Sequence, residues 1–245
     1  MRTKLLNLPV DVLSKEEISS TIKSALINAN QLKIITLNPE MIINAIKNIE
    51  FQNVLKDSDF IVADGTGIVW ALKLNGFKNA ERIPGIELAE KILELVNKSG
   101  KSVAILGSTD SVISKTLTNL KEKYPLLKIA YSKNGFFKNE EESAIATDMA
   151  KNDPDVIFVA LGSPKQELWI NKYSMLFPKS IMIGIGGSLD VWSGKKQRAP
   201  KWIRDMHMEW LFRVMNEPER IPRVLKSLPR FIYLVMKARF ANLAF

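Results

Sequence analysis

Short apolar runs alternate with amphipathic segments along the first four fifths of this 245-residue chain. Six apolar runs predict β-strands, at 33–37, 59–63, 102–106, 127–131, 155–161 and 180–185. The segments around them predict helices, at 14–28, 39–49, 67–74, 85–98, 110–124, 140–151 and 165–176. Strands that are apolar on both faces are typical of a parallel sheet covered by helices on both sides. We therefore predict an α/β fold with a Rossmann-like, mostly parallel sheet and flanking helices.

The last fifth of the chain differs from the rest in charge. Residues 195–245 contain 12 Lys and Arg against 4 Asp and Glu, a net charge of +8, whereas residues 1–194 contain 23 against 22. The same segment is also rich in aromatic residues. We predict an α/β body at 1–194 and a C-terminal helical, basic and aromatic appendage at 195–245. Such an appendage favours contact with a polyanionic partner, such as a membrane surface, a phosphorylated substrate or a nucleic acid.

Prolines punctuate this appendage. Pro200 suits the first turn of a helix, and apolar residues recur at helical spacing from Trp202 to Val214. Pro218, Pro222 and Pro229 are then expected to divide the remainder into short segments, because an interior proline removes a helix hydrogen bond.

The composition excludes several kinds of site. The chain has no cysteine, so disulfides, thiolate catalysis and cysteine-ligated zinc are excluded. Its one histidine, His207, excludes a multi-histidine metal site, and we expect it to be a packing residue inside a helix. Residues 1–13 lack the apolar run of a signal peptide, and no run approaches the roughly 20 apolar residues of a membrane-spanning helix. We expect a cytoplasmic protein that is soluble or peripheral on a membrane.

Four of the predicted strands end in polar, glycine-rich sequences. These are Thr-Leu-Asn-Pro at 36–39, Ala-Asp-Gly-Thr-Gly at 63–67, Leu-Gly-Ser-Pro-Lys-Gln at 161–166 and Gly-Ile-Gly-Gly-Ser at 184–188. Ligands of parallel α/β sheets bind beyond the carboxyl ends of the strands. We place the active site at this edge of the sheet.

Asp64 is the leading candidate for chemistry. It follows a strand and precedes two glycines that would let a ligand approach the backbone, so its carboxylate could act as a general base. Alternatively, Asp64 is the N-cap of the next helix. Thr36 and Asn38 end a strand expected to neighbour it, where they either orient the base and a sugar or merely form a turn and cap.

Two glycine loops are candidates for holding phosphate. Gly162 and Ser163 precede a helix whose N-terminus could receive a nucleotide phosphate, with Gln166 bonding the ligand, and Gly186 and Gly187 could act similarly. Neither loop matches a dinucleotide-binding or Walker sequence, so both also fit ordinary strand-to-helix turns.

Arg213, Arg220 and Arg223 could neutralise a diphosphate leaving group, because arginine binds phosphate oxygens with a planar fork. The alternative is a solvated or lipid-facing basic surface. The acidic pairs Asp57–Asp59 and Asp153–Asp155 precede strands, so we interpret them as solvated turns and expect no metal or other cofactor.

Taken together and in order, these motifs are specific. With Arg82-Ile-Pro-Gly at 82–85 and the stretch from Gln197-Arg-Ala-Pro to Glu209-Trp-Leu, the chain resembles the WecG/TagA/CpsF glycosyltransferase family from about residue 5 to about 230. The resemblance implies an inverting, metal-independent enzyme. It would transfer N-acetylmannosamine from UDP to the 4-hydroxyl of N-acetylglucosamine on undecaprenyl diphosphate, forming the β-1,4 bond of the wall teichoic acid linkage unit.

The resemblance also implies roles for residues. Asp64 matches the probable base and Thr36 the threonine beside it, while Asn38 and Gln166 match polar ligands of the site. By position, Arg213 and the two later arginines would be lent to the site by an appendage that contacts the inner face of the cell membrane. The family resemblance further suggests self-association as a homo-oligomer.

Two rival functions remain open at this point. One is the same family with another UDP-sugar donor, such as UDP-N-acetylmannosaminuronic acid or UDP-glucose. The other is a non-catalytic Rossmann-like module that binds a membrane or nucleic acid through its basic tail. The concentration of polar groups at the strand ends favours an enzyme with no nucleic-acid partner.

Overall fold

A computed structural model describes residues 1–241, so residues 242–245 of the predicted appendage lie outside the described part. Its single sheet has eight strands: β1 Arg2–Leu5, β2 Leu8–Asp11, β3 Leu32–Leu37, β4 Phe60–Ala63, β5 Ser102–Gly107, β6 Lys128–Lys133, β7 Val156–Ala160 and β8 Ile181–Gly184. They are ordered β1-β2-β4-β3-β8-β7-β5-β6, and only the β1–β2 pair is antiparallel. This confirms the predicted mostly parallel α/β sheet.

Twelve α-helices lie within the described residues: α1 Lys15–Asn28, α2 Pro39–Ala45, α3 Ile49–Lys56, α4 Thr66–Leu74, α5 Gly85–Ser99, α6 Asp110–Lys123, α7 Glu142–Ala150, α8 Lys165–Tyr173, α9 Ser188–Trp192, α10 Lys201–Asp205, α11 Glu209–Asn216 and α12 Ile221–Phe240. Helices α1, α5, α6 and α9 cover one face of the sheet, and α2, α3, α4, α7, α8 and α12 cover the other. Neighbouring strand residues such as Ile157 and Phe158 enter opposite cores, because successive side chains of a strand point to opposite faces. Both faces are therefore buried.

The hairpin of β1 and β2 was not predicted from the sequence. Leu6 and Asn7 both adopt positive φ, of 52° and 64°, which is the geometry of a two-residue hairpin turn. At the base of the hairpin, Arg2 pairs with Asp11 at 2.8 Å, and an Asp11 oxygen accepts from the backbone N–H of Ile61. The hairpin therefore adds two strands to the side of the sheet next to β4.

The predicted helix at 39–49 is wrong in its extent. Helix α2 ends at Ala45, and Asn48 begins α3 by accepting a hydrogen bond from the backbone N–H of Phe51. A second asparagine cap inside one apolar pattern divides it into two helices.

The appendage also departs from expectation in two places. His207 does not lie inside a helix or in a core: it is exposed, has φ of 61°, and separates α10 from α11. Pro222 and Pro229 do not divide the chain that follows, since both lie within α12. Pro222 occupies the first turn, where a missing N–H costs little, and tertiary burial of the helix outweighs the bond lost at Pro229.

Helix α12 packs onto the body. Phe231 and Val235 are fully buried in the core beneath α2. A Cβ added to Gly67 would lie 2.8 Å from Pro39 and 3.4 Å from the Phe231 ring, so this glycine permits the close approach. Among residues 1–241, no helix is both long enough and apolar enough to cross a membrane.

Candidate functional site

The four motif-bearing strands are neighbours in the sheet. Their order is β4-β3-β8-β7, with all four parallel, so all four polar strand ends lie along one edge. With strands about 4.8 Å apart, this row spans roughly 14 Å. The sheet thus brings together sequences that lie more than one hundred residues apart in the chain.

Asp64 is not a helix cap. The N-cap of α4 is Gly65, and no side chain caps that helix. The backbone N–H of Asp64 donates to the carbonyl of Leu37 at 3.0 Å, which fixes the residue at the end of β3. Its side chain is 29% exposed. We use the word cleft for the region between this edge of the sheet and the appendage, which contacts the edge at Thr66, Arg82 and Gly187.

The glycines after Asp64 allow neighbouring elements to pack closely against the start of α4. A Cβ on Gly65 would lie 2.7 Å from the Pro39 ring, and Gly67 is equally close to that ring. Protein atoms therefore occupy the side-chain direction of both glycines, which allows α2 and α12 to pack closely, while approach of a ligand to their backbone stays a prediction.

Positive and negative groups surround the Asp64 carboxylate. Burial raises the pKa of Asp64 above its ordinary value, and the Glu209 carboxylate raises it as well. Arg82, Arg213 and the backbone N–H of Gly85 act in the opposite direction without cancelling that rise. A carboxylate with a raised pKa is a stronger base, which suits proton abstraction from a hydroxyl.

Thr36 and Asn38 lie beside Asp64 on the neighbouring strand. Thr36 pairs with Val62 in the β3–β4 ladder, and its side chain is in close contact with Gly85. Asn38 caps α2, because its Oδ1 accepts from the backbone N–H of Met41 at 3.0 Å. The predicted cap is therefore present, and it uses the oxygen of the side-chain amide rather than its nitrogen.

The two glycine loops occupy the other half of the edge. Gly162 has φ of 78° and Gly186 has φ of 47°, and neither has an atom within 4 Å of an added Cβ, so both are open to the cleft. Ser163 is exposed before a cis peptide bond to Pro164. Gly187, also exposed, lies near the Arg220 guanidinium.

Gln166 lies beneath these loops. It is buried, its Oε1 accepts from the backbone N–H of Gly186 at 3.2 Å, and its Nε2 donates to Glu167 at 2.7 Å. The side chain thereby ties the loop after β7 to the loop after β8. This geometry gives Gln166 a supporting position under the cleft.

The appendage arginines reach different places. Arg213 donates to Glu209 at 3.1 Å and faces Asp64, whereas Arg220 donates to Glu217 at 2.9 Å near the β8 loop. Arg223 is 58% exposed and lies 3.9 Å from Glu40. The structure therefore brings the first two arginines to the cleft and leaves the third at its rim.

Sequence reasoning missed three charged residues at the centre of the site. Arg82 donates to the Asp64 carbonyl at 2.7 Å and to Glu209 at 3.0 Å, and Arg198 lies 3.5 Å from Glu209. Burial raises the pKa of Glu209, but the combined effect of Arg213, Arg198 and Arg82 is larger and opposite. The net pKa of Glu209 therefore lies below its ordinary value. A signal for all three was present in the sequence, since the motif at 82–85 contains Arg82 and the stretch at 197–211 contains Arg198 and Glu209.

The paired aspartates lie at the opposite edge of the sheet, as predicted, but they are not simply solvated. Asp59 accepts from the backbone N–H of Lys33 at 2.7 Å, and Asp155 accepts from Ser102 at 2.8 Å and from Lys101 at 2.9 Å. Each carboxylate ties two neighbouring strands together. Within residues 1–241, no three acidic or histidine side chains are grouped as a metal site requires.

Comparison with known proteins supports the family assignment. The chain is 38% identical over 209 residues to the N-acetylglucosaminyldiphosphoundecaprenol N-acetyl-beta-D-mannosaminyltransferase of Bacillus spizizenii, which covers 85% of this chain and 80% of the relative. Proteins of the same name from Bacillus subtilis and Staphylococcus aureus are each 37% identical, over 83% and 86% of this chain and 78% and 82% of their own length. The model of the WecG/TagA/CpsF glycosyltransferase family matches residues 3–244. The chain belongs to the WecG/TagA/CpsF family of glycosyltransferases.

Proposed function

We propose that this glycosyltransferase moves N-acetylmannosamine from UDP to the 4-hydroxyl of N-acetylglucosamine on undecaprenyl diphosphate. One observation carries the catalytic part: Asp64, with a raised pKa, lies in a cleft beside Arg82 and Arg213. The names of the similar enzymes supply the sugar and the lipid-linked acceptor. The product would serve wall teichoic acid linkage-unit synthesis.

Inversion requires one base and a stabilised leaving group. Asp64 accepts the proton of the acceptor hydroxyl, whose oxygen attacks the anomeric carbon from the face opposite the diphosphate. The bond from the anomeric carbon to the diphosphate oxygen breaks, its electron pair leaves with UDP, and the new glycosidic bond has the inverted configuration. Thr36 borders the base, and Asn38 directs its free amide nitrogen at a sugar.

Charge stabilisation of the UDP leaving group is assigned to arginines. Negative charge develops on the diphosphate as the bond breaks, and fixed cations near it lower the barrier. Arg213 and Arg220 supply such cations from the appendage, and Arg223 guides the anionic donor from the rim. The open loops at Gly162–Ser163 and Gly186–Gly187 receive the phosphates. We propose that these groups make a divalent metal unnecessary.

The appendage is proposed to bring the enzyme to its lipid-linked acceptor. Trp202 is 64% exposed, and Trp210 and Met215 are also exposed on the two short helices before α12. Each Lys or Arg near an anionic leaflet contributes about 1 kcal/mol of attraction. Residues 195–245 would therefore act as a peripheral anchor on the inner face of the membrane, and apolar exposure there also favours self-association.

The test is UDP release from UDP-N-acetylmannosamine with a short-chain lipid-diphosphate N-acetylglucosamine acceptor. Wild type and Asp64→Asn are compared with EDTA present and with Mg²⁺ added. We expect acceptor-dependent release by the wild type in both buffers, and its collapse in the variant. Release that requires Mg²⁺ would overturn metal independence, and turnover with only another UDP-sugar would overturn the donor assignment.

A further inference from the structure

Glu209 is an acidic group that the proposed reaction leaves without a role. It is located on α11 in the appendage, and its side chain is only 3% exposed. Its carboxylate contacts three guanidinium groups, those of Arg82 at 3.0 Å, Arg213 at 3.1 Å and Arg198 at 3.5 Å. A carboxylate so enclosed by cations fixes where each cation lies.

One of these guanidinium groups lies between two carboxylates. The Nη2 atom of Arg82 is 3.0 Å from Oε2 of Glu209 and 3.9 Å from Oδ1 of Asp64. The Nε atom of the same side chain donates to the Asp64 carbonyl at 2.7 Å. The Arg82 side chain is thus held next to Asp64, while its Nη2 atom bonds to Glu209. A shift of about 1 Å would bring that atom within hydrogen-bond distance of the Asp64 carboxylate.

We propose that Glu209 is a positioning residue that holds the Arg82 fork away from the Asp64 carboxylate, leaving the Asp64 oxygens free to accept the acceptor proton. This role rests on the proposed function of Asp64 as the base. Without Glu209, the fork closes on Asp64 as an ordinary arginine–carboxylate pair. A carboxylate in such a pair is a weaker base and offers fewer free lone pairs.

The contact also joins the two parts of the chain. Glu209 belongs to the appendage and Arg82 to the body, so the base is released only while α11 is docked. In an enzyme whose appendage is displaced, Asp64 would still be present, but its carboxylate would pair with Arg82.

Other charged groups face the same site and must be separated from the effect. Arg213 faces both carboxylates, and Arg198 contacts Glu209 and, behind it, Glu87 at 2.6 Å. The backbone N–H of Gly85, at the start of α5, also faces Asp64. Removing the Glu209 charge acts directly on Asp64 as well as through Arg82. Only a variant that lacks Arg82 distinguishes the two routes.

The decisive experiment titrates Asp64 in the full-length protein by carboxyl ¹³C NMR, with the signal assigned by its loss in Asp64→Asn. Glu209→Gln is expected to move the Asp64 midpoint to lower pH. Combining it with Arg82→Gln should abolish most of that drop relative to Arg82→Gln alone. Glu142→Gln, at a carboxylate only 12% exposed that pairs with Lys172, is the matched control and should leave the midpoint in place.

Kinetics give a second readout. The base must be deprotonated, so a lower midpoint moves the acid limb of the kcat/KM profile to lower pH. The plateau kcat of Glu209→Gln should fall about tenfold, because a weaker base transfers the proton less readily. A merely structural role of Glu209 would lower the unfolding temperature without moving the acid limb.

An Asp64 midpoint unchanged in Glu209→Gln would overturn the proposal, as would a drop of the same size in the Arg82→Gln background. If Glu209→Gln does not fold, the double variant Glu209→Gln with Arg82→Gln, which loses one charge of each sign, is compared with Arg82→Gln alone. Nearly equal Asp64 midpoints in the two proteins support the proposal. A midpoint that is much lower in the double variant refutes it. Wild type that turns over no UDP-sugar would overturn the proposed function, and the NMR titration would still decide the competition for Arg82.

Discussion

Asp64 and Asp155 lie at opposite edges of the same sheet, and the pKa values of their carboxyl groups are shifted in opposite directions. Asp155 precedes β7 and accepts hydrogen bonds from Lys101 and Ser102. Burial raises the pKa of Asp155, but these two partners lower it more, so the net pKa lies below its ordinary value. Asp64 follows β4, and its pKa lies above the ordinary value of an aspartate.

The difference follows from the direction of parallel strands. At their amino ends, the strands present unpaired backbone N–H groups, which a carboxylate can satisfy. At their carboxyl ends the strands present carbonyl oxygens, which cannot donate to a carboxylate, so Asp64 is reached only by groups outside its own sheet ladder, such as Arg82, Arg213 and the backbone N–H of Gly85. The aspartate at the amino edge therefore joins neighbouring strands, whereas Asp64 takes no part in the ladder through its carboxylate.

The largest expected effect comes from Asp64→Asn. Loss of a general base lowers kcat by about 10² to 10⁴-fold. The unfolding temperature at pH 7 should not fall, because the raised pKa means that the charged form of Asp64 is disfavoured in the folded state. Turnover of the lipid-linked acceptor and a thermal melt check the two halves. Wild-type turnover in Asp64→Asn would show that Asp64 is not the base, and Asp64 and Asp155 would then no longer differ in function.

Arg213→Ala should have the next largest effect, about 10 to 100-fold in kcat/KM, because Arg213 faces both Asp64 and Glu209. Arg223→Ala serves as the comparison at the rim and should lose less than about threefold, since that side chain is well exposed. Donor and acceptor kinetics on a soluble short-chain acceptor exclude membrane effects. Equal losses of kcat/KM in the two variants would mean that the appendage acts through its overall positive charge and not through the position of Arg213.

Asp155→Asn should reverse the pattern seen at Asp64. Its hydrogen bonds involve a charged group, so the free energy of unfolding should fall by about 1.5 to 3 kcal/mol. The kcat should stay at the wild-type value, since the amino edge is remote from the cleft. Urea unfolding followed by circular dichroism measures the change, and Asp148→Asn, at an exposed i,i+3 pair, is the control. A folded Asp155→Asn protein with impaired kcat would contradict the division between the two edges.

The smallest effect is the pH dependence of that stability difference. A carboxyl group whose folded-state pKa is lowered stabilises the protein above its unfolded-state pKa, which is about 3.9 for aspartate. The gap between wild type and Asp155→Asn should be full at pH 7 and shrink as the pH falls below about 4. A gap that instead widens in acid would show that the Asp155 pKa is not lowered.

The framework could be predicted from the sequence because it depends on local patterns. The six apolar runs are all strands, and α1 begins where a helix was predicted, with Ser14 and Glu17 forming a capping box. The hairpin at Arg2–Asp11 was missed because its strands are four residues each and its turn residues, Leu6 and Asn7, include no glycine.

The centre of the site was harder to predict, for a different physical reason. Asp64 ends a strand and could be picked out by position, but Glu209 looks like any surface glutamate on an amphipathic helix. It differs from such a residue in being buried beside Arg82 and Arg198, which come from distant segments, as well as beside Arg213, one turn along the same helix. Such convergence depends on tertiary packing, which no local pattern encodes. The continuity of α12 through Pro229 has the same origin.

The first and last segments of the chain share one core, in which Leu5 and Leu8 of the hairpin accompany Phe231 and Val235 of α12. The core on this face of the sheet is therefore complete only while α12 is in place. A chain cut before α12 would expose Leu5, Leu8 and their neighbours to water, and we expect proteases to degrade it.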